Sequence, residues 1–368
     1  MIRVQPALTN KVPATNTAQD EIQETMDQKS WIEPEPVEDG ALSDAQITSW
    51  REQGFTLIHG LLPDVLLRAA AADARSHFPF PGTVEAQNIT NFGSNQRFVF
   101  PADSRACNEI TLHPNLLAAV SALLGESVSD IRLTQSDLWP KYGRAASAGD
   151  YDNHDQRIHC DYPNHSLTHP PTWESPDAVE ILIYLSDLEE CQGSTAVVPR
   201  QGPDDPAYPW PIVQTPGVNG LPYINNRTNA EAYLRTQAPE IGNFREEHLY
   251  AREVVARYCF GSILFYRHDT WHRGTPVKDG ALRFVHNLTF KKAPCDWINV
   301  LHPGWSWSMY RRTQLMEKLI AHATVEQRTV LGFPAPGNEY WTEQTVTAVA
   351  NRYAAHDIDM EPYWDGLP

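Results

Sequence analysis

The chain has 368 residues, enough to bury a sizeable core within one large domain. Its 46 acidic residues outnumber 29 basic ones, and the net charge of -17 opposes a polyanionic partner such as nucleic acid, because neutralising phosphates takes clustered Lys and Arg. No apolar run approaches the roughly 18 residues of a membrane span and no basic start with an apolar stretch marks a secretory signal, so a cytoplasmic protein acting on a small molecule is expected.

Residues from Met1 to about Gly40 are rich in Thr, Asn, Gln, Glu and Pro without helical periodicity, which predicts a disordered or loosely draped tail. Ser43 and Gln46 make a capping box for a helix through Trp50, FTLIH then reads as a strand, and Pro63 opens a helix to about Ser76. His113-Pro114 introduces a helix stopped at Gly125, and SVSDIRLTQSDLWPKYG offers a long alternating strand with Gln135, Trp139 and Lys141 on one face. Ala178 to Ser186 is a near-continuous apolar run of the kind a buried strand shows, turned by Gly193 into STAVVP. Gln201 to about Gly242 is heavy in Pro, Asn and Gly and reads as a loop insertion, either a cover for a pocket or a surface excursion. From Gly261 to Lys291 two strand-like runs flank Asp279-Gly280, the pattern of a hairpin. Beyond Pro303 two helical patterns, one ending near Ala323 and one over 342–355, predict a buttress. The five cysteines, Cys107, Cys160, Cys191, Cys259 and Cys295, form no C-x-x-C pair and read as free thiols.

Three of these residues have the chemistry of a metal site. His159 and Asp161 form an H-x-D on a short strand-like segment, and period two puts both on one face while Cys160 points away. Either alone is a weak signal, since acidic residues near histidines are common. With His272 from the hairpin they make two imidazoles and one carboxylate, the set that holds Fe(II) and leaves three positions open. Arg283, near the start of the second hairpin strand, would share the same cavity mouth. His268 competes with His272 for the distal position, and His322 and His356 read as ordinary histidines.

In this order the pieces SDAQITSWREQGFTLIHGLLP, HCDY, LSDLEECQGSTAVVPR, WHRGTP and LRF resemble the phytanoyl-CoA dioxygenase family of Fe(II)/2-oxoglutarate oxygenases, from about Ser43 to about Lys292. The resemblance implies an α+β, mainly β fold with a double-stranded β-helix core, jelly-roll and cupin-like, over about 128–292. Helices flank it, and residues 41–368 form a single oxygenase domain with the buttress at about 305–368. It also implies Fe(II) on His159, Asp161 and His272, with 2-oxoglutarate and O2 as co-substrates. Arg283 would grip the far carboxylate, since a planar fork matches a carboxylate with two bonds. Thr275 would add a hydroxyl bond, although the family commonly has its hydroxyl closer to the distal His, where this chain departs from the pattern with Gly274. Gln135 and Lys141 are candidates for the same co-substrate or for a solvated strand edge.

The activity implied is hydroxylation of an unactivated carbon of a small metabolite or natural-product intermediate, with release of succinate and CO2. Desaturation, epimerisation or ring formation would use the same iron. The presence of Asp161 favours oxygenation over halogenation, which in relatives needs a small residue there. A zinc hydrolase could use the same three ligands but would give Arg283 no role. A non-catalytic binding barrel has no reason to keep all three.

Overall fold

Two β-sheets, mostly antiparallel, face each other at the centre of the molecule, and the computed structural model describes residues 30–89, 96–144, 154–212, 215, 218–295 and 315–367. The strands are β1 (Trp31–Ile32), β2 (Glu35–Pro36), β3 (Phe55–His59), β4 (Ile131–Tyr142), β5 (Ala178–Tyr184), β6 (Thr195–Val197), β7 (Val254–Ala256), β8 (Ile263–Arg267), β9 (His272–Gly274) and β10 (Leu282–Lys292). One sheet has the order β2-β3-β8-β5-β10-β4 and the other β1-β7-β6-β9. β5, β8 and β10 lie in the six-stranded sheet and β6, β7 and β9 in the other, so the chain crosses between the sheets four times from β5 to β10, which makes the core a double-stranded β-helix with flanking helices, the fold class expected.

Alternation along each strand divides two apolar layers. Outward residues such as Leu138, Ile181, Ile183, Phe265, Phe284 and Leu288 pack under helices α1 (Asp44–Gln53), α2 (Asp64–His77), α3 (Arg105–Thr111) and α4 (Pro114–Leu124). Inward residues Tyr184, Leu264, Tyr266 and Val285 meet Val197, Ala256 and Tyr258 between the sheets. The α1 capping box of Ser43 and Gln46 is present, and Gly125 ends α4 in a left-handed conformation, φ 72. No helix among the described residues is long and apolar enough to cross a membrane.

Several expectations are corrected. The tail to about Gly40 is not uniformly unstructured: β1 pairs parallel with β7 and β2 with β3, because Trp31 and Ile32 give the segment apolar surface to bury. Residues 1–29 lie outside the described residues. The 261–291 hairpin does not form, since β8 and β10 pair on opposite sides of β5 and β9 joins the other sheet. Nor do β5 and STAVVP form a hairpin, for β6 pairs with β7 and β9. Asp279-Gly280 is a turn, but a turn fixes a reversal and not its partner.

The 201–242 stretch contains a helix, α5 (Arg227–Gln237), held at its N-terminus by Asn226. Near the C-terminus, helix Glu343–Tyr353 begins in a capping box at Thr342, and Leu315–His322 is the described part of the first helical pattern, its residues 305–314 lying outside. Arg352 donates to the Thr168 carbonyl (2.7 Å) and the Tyr353 hydroxyl to that of Leu167 (2.6 Å). These helices therefore brace the segment that follows Asp161.

Candidate metal centre and co-substrate pocket

The segment carrying His159 lies along β9, and His159 and His272 exchange both backbone hydrogen bonds, at 2.9 and 2.8 Å. That pairing puts their rings side by side, 4.3 Å between centroids. Each ring is oriented by its own strand: Nδ1 of His159 donates to the Arg157 carbonyl (3.1 Å) and Nδ1 of His272 to that of Thr270 (3.0 Å). A carbonyl can only accept, so the hydrogen sits on Nδ1 and both Nε2 lone pairs are left for a metal.

Asp161 is not on a strand. It stands at the residue before the short helix Tyr162–His165, with φ -90 and ψ -20 and no capping bond from its side chain, which lets the carboxylate face the two histidines. Its Oδ1 lies 3.6 Å from Nε2 of His159 and its Oδ2 3.3 Å from Nε2 of His272. All three ligand atoms fall within 4.8 Å of one another, the one such convergent His, Cys, Asp or Glu group among the described residues. His268, the competitor for the distal position, turns instead to His165, 5.9 Å between ring centroids. Cys160 packs away from the group and donates its thiol to the Asp269 carbonyl (3.3 Å).

Burial, with His272 adding to it, pushes the His159 imidazole well below its usual range, so the ring is neutral near pH 7, the form a metal donor needs. Asp161 is held below the usual carboxylate range: burial opposes its ionisation, but His272 and then His159 outweigh that, helped by the Tyr266 hydroxyl. Tyr266 donates to Oδ2 of Asp161 (2.7 Å), and its ring lies 4.6 Å from that of His272. Sequence reasoning missed Tyr266; its inward position on β8 was the available signal.

The second half of the site is on the six-stranded sheet. Arg283 of β10 and Lys141 of β4 are direct cross-strand partners. Arg283 donates through Nη1 to the Gly193 carbonyl, while its Nε is buried with no hydrogen-bond partner. Lys141 is 6% exposed, so the solvated-edge alternative fails for it, and its ammonium donates to the Thr275 carbonyl (2.8 Å). Burial, then the neighbouring Arg283 charge, pushes Lys141 well below the usual lysine range. Two cations forced together with a donor unsatisfied form a ready anion pocket.

Two other candidates are placed differently. The Thr275 hydroxyl spends its hydrogen on the Ser194 carbonyl (2.9 Å), so it has none to give a carboxylate. Gln135 lies six positions along β4 from Lys141, and its amide donates to Oδ1 of Asp137 (2.8 Å). Asp137, buried on the same inward face, also accepts from Trp139 and was not anticipated.

The sequence model of the phytanoyl-CoA dioxygenase family, PhyH, matches residues 50–285. The chain belongs to the phytanoyl-CoA dioxygenase family. It is accordingly a non-haem enzyme that uses Fe(II) and 2-oxoglutarate, and the donor set fits both: two neutral imidazoles with a carboxylate, and a cation pair within the same barrel. No curated protein matches the chain. Among solved structures it is similar to SnoN, the non-heme alpha ketoglutarate dependent epimerase from nogalamycin biosynthesis, at 15% identity and TM-score 0.43 over 68% of this chain and 83% of that one. It is similar to SnoK, the carbocyclase of the same biosynthesis, at 15% identity and TM-score 0.43 over 70% and 87%. EvdO2 from Micromonospora carbonacea var. aurantiaca gives 12% identity and TM-score 0.46 over 70% and 98%.

Proposed function

We propose that the chain is a hydroxylase of a small metabolite or natural-product intermediate, with His159, Asp161 and His272 as the Fe(II) ligands and Arg283 and Lys141 as the grip on the distal carboxylate of 2-oxoglutarate. The observation that carries the reading is the convergence of the three ligand atoms within 4.8 Å, in a barrel whose other wall presents the Arg283 and Lys141 pair. Held by His159, Asp161 and His272, Fe(II) would supply the redox chemistry by which one oxygen atom of O2 goes to succinate and the other to product, with CO2 released. The protein's own residues position and exclude water: the three ligands are each 9% exposed or less. A zinc hydrolase leaves the cation pair without a purpose.

For the substrate, the net charge of -17 disfavours a CoA thioester. Inward-facing Asn287 keeps a buried oxygen without a hydrogen-bond partner, which favours a molecule carrying hydroxyl or amine hydrogens over an alkyl chain. Residues 41–368 are assigned to one catalytic domain, joined by the strands at 31–36. Incubating the Fe(II)-loaded protein with a metabolite extract, with and without 2-oxoglutarate, tests this. A co-substrate-dependent mass gain of one oxygen atom is expected; a loss of two hydrogens would reassign the reaction to desaturation or ring closure, and an unchanged mass in a converted product to epimerisation.

A further inference from the structure

Gly274 follows the distal histidine by two residues, in ordinary extended backbone, so its conformation does not call for glycine. Space does. A Cβ at position 274 would sit 2.5 Å from Oε1 of Gln156 and 3.2 Å from Nζ of Lys141. The missing side chain is thus replaced by the amide of Gln156, against the same ammonium that flanks Arg283.

The amide is also oriented. Gln156 is 6% exposed, its backbone N–H donates to the Gly274 carbonyl (3.1 Å), and its Oε1 accepts the Gly274 N–H (2.8 Å). With the oxygen pinned, the identity of the two amide atoms is fixed and Nε2 is directed away from β9. Both Nε2 hydrogens are uncommitted among the described residues. The Gln156 amide and the Lys141 ammonium thus flank the same point beside Gly274, and Lys141 is the cross-strand partner of Arg283, whose Nε is buried without a hydrogen-bond partner.

We propose that Gln156 is the third donor to the distal carboxylate of 2-oxoglutarate, and that Gly274 is glycine to leave its amide room. This rests on the reading of the site given above. A carboxylate presents about four lone-pair positions, more than a guanidinium edge and one ammonium fill. A neutral amide supplies another hydrogen bond without adding a third positive charge to a pair already in mutual repulsion. Glutamate at 156 would have the same length and the opposite effect, placing a resident anion on the two cations.

The test is a calorimetric titration of 2-oxoglutarate under nitrogen into the Fe(II)-loaded protein, for wild type, Gln156→Ala, Gln156→Glu, Gly274→Ala and the Gln156→Ala/Gly274→Ala double variant. Gln156→Ala should weaken binding about tenfold, the loss of one charge-assisted hydrogen bond. Gly274→Ala should weaken it comparably by pushing the amide aside, and Gln156→Glu should abolish it. The double variant should lose less than the two single losses multiplied, since the methyl group then meets only the ammonium of Lys141, at 3.2 Å, and no amide. Fe(II) affinity should stay at the wild-type value throughout, while the melting temperature of the metal-free protein should fall by no more than the lost Gly274 N–H bond costs; a loss of iron affinity in step with that of 2-oxoglutarate would mark a merely structural role for Gln156. Wild-type affinity in Gln156→Ala overturns the inference, as do losses that multiply in the double variant. If Gly274→Ala does not fold, the two Gln156 variants still decide. A wild-type protein that takes up no 2-oxoglutarate would instead sink the enzyme reading itself, a result separate from any of these.

Discussion

The two walls of the barrel are built by different physics. On the six-stranded side β4 and β10 run 12 and 11 residues, pair along their length with one register shift, and rest on a continuous apolar layer under four helices. On the metal side the strands are two or three residues long, too short for ladder bonds alone to fix a ligand. Buried charges do it instead. Arg245, fully buried and paired with Glu231 (2.8 Å), donates to the Ile158 carbonyl (2.9 Å), while the Tyr250 hydroxyl accepts the Ile158 N–H (3.1 Å). Arg273, beside His272, is gripped by Glu253 (2.7 Å) and Asp155. The cation wall is positioned by periodicity, the imidazole wall by a polar clamp that includes the far end of the 201–242 insertion.

The largest test of this contrast is at the ligands. His159→Ala, Asp161→Ala and His272→Ala should each abolish turnover and specific Fe(II) uptake in an anaerobic titration, whereas His268→Ala should keep one iron per chain. Next, Arg245→Ala leaves Glu231 with the Tyr250 hydroxyl but no cation and should cost about 3 kcal/mol by urea unfolding, together with weaker Fe(II) binding. Ile181→Ala, in the other wall, should cost a comparable 2 to 5 kcal/mol, about that of a buried large-to-small change, with Fe(II) affinity untouched. Equal iron affinity in both variants would erase the distinction between the walls. Arg283→Lys keeps the charge and loses the fork, so 2-oxoglutarate affinity should fall by roughly ten- to a hundredfold while Fe(II) binding holds.

The smallest effect concerns pH. Burial raises the Asp137 carboxyl to about 6, with hydrogen bonds from Gln135 and Trp139 pulling the other way. The folded state therefore binds this proton more tightly than the unfolded chain does. The stabilisation is fully present below the unfolded value near 3.8 and is lost as pH rises through about 6. Asp137→Asn should flatten that slope, by on the order of 2 kcal/mol between pH 4 and 7 in denaturant melts.

What could be read from the sequence follows the same division. Helix caps at Ser43 and Gly125, the run of β5 and the alternation of β4 depend on near neighbours, and near neighbours are visible in a string of letters. The convergence of the H-x-D with the distal histidine was legible because residue type and order carry it, even though Asp161 sits on a turn and the supposed hairpin is two strands on either side of β5. The partners of β8 and β10, the Tyr266 bond to Asp161 and the Gln156 amide beside Gly274 depend on strands meeting across the barrel. No local period encodes a meeting of that kind.

The short strand β1 shows what such distant meetings imply in time. Glu33 and Arg257, the ion pair beside its junction with β7, are 224 positions apart. A contact of that span carries a loop-closure cost that nothing local offsets, so β1 has to wait for most of the barrel to exist before it can dock. The first described residues of the chain are then among the last to find their place. Changes at Trp31 should speed unfolding and leave the folding rate alone, as expected of contacts formed after the rate-limiting step.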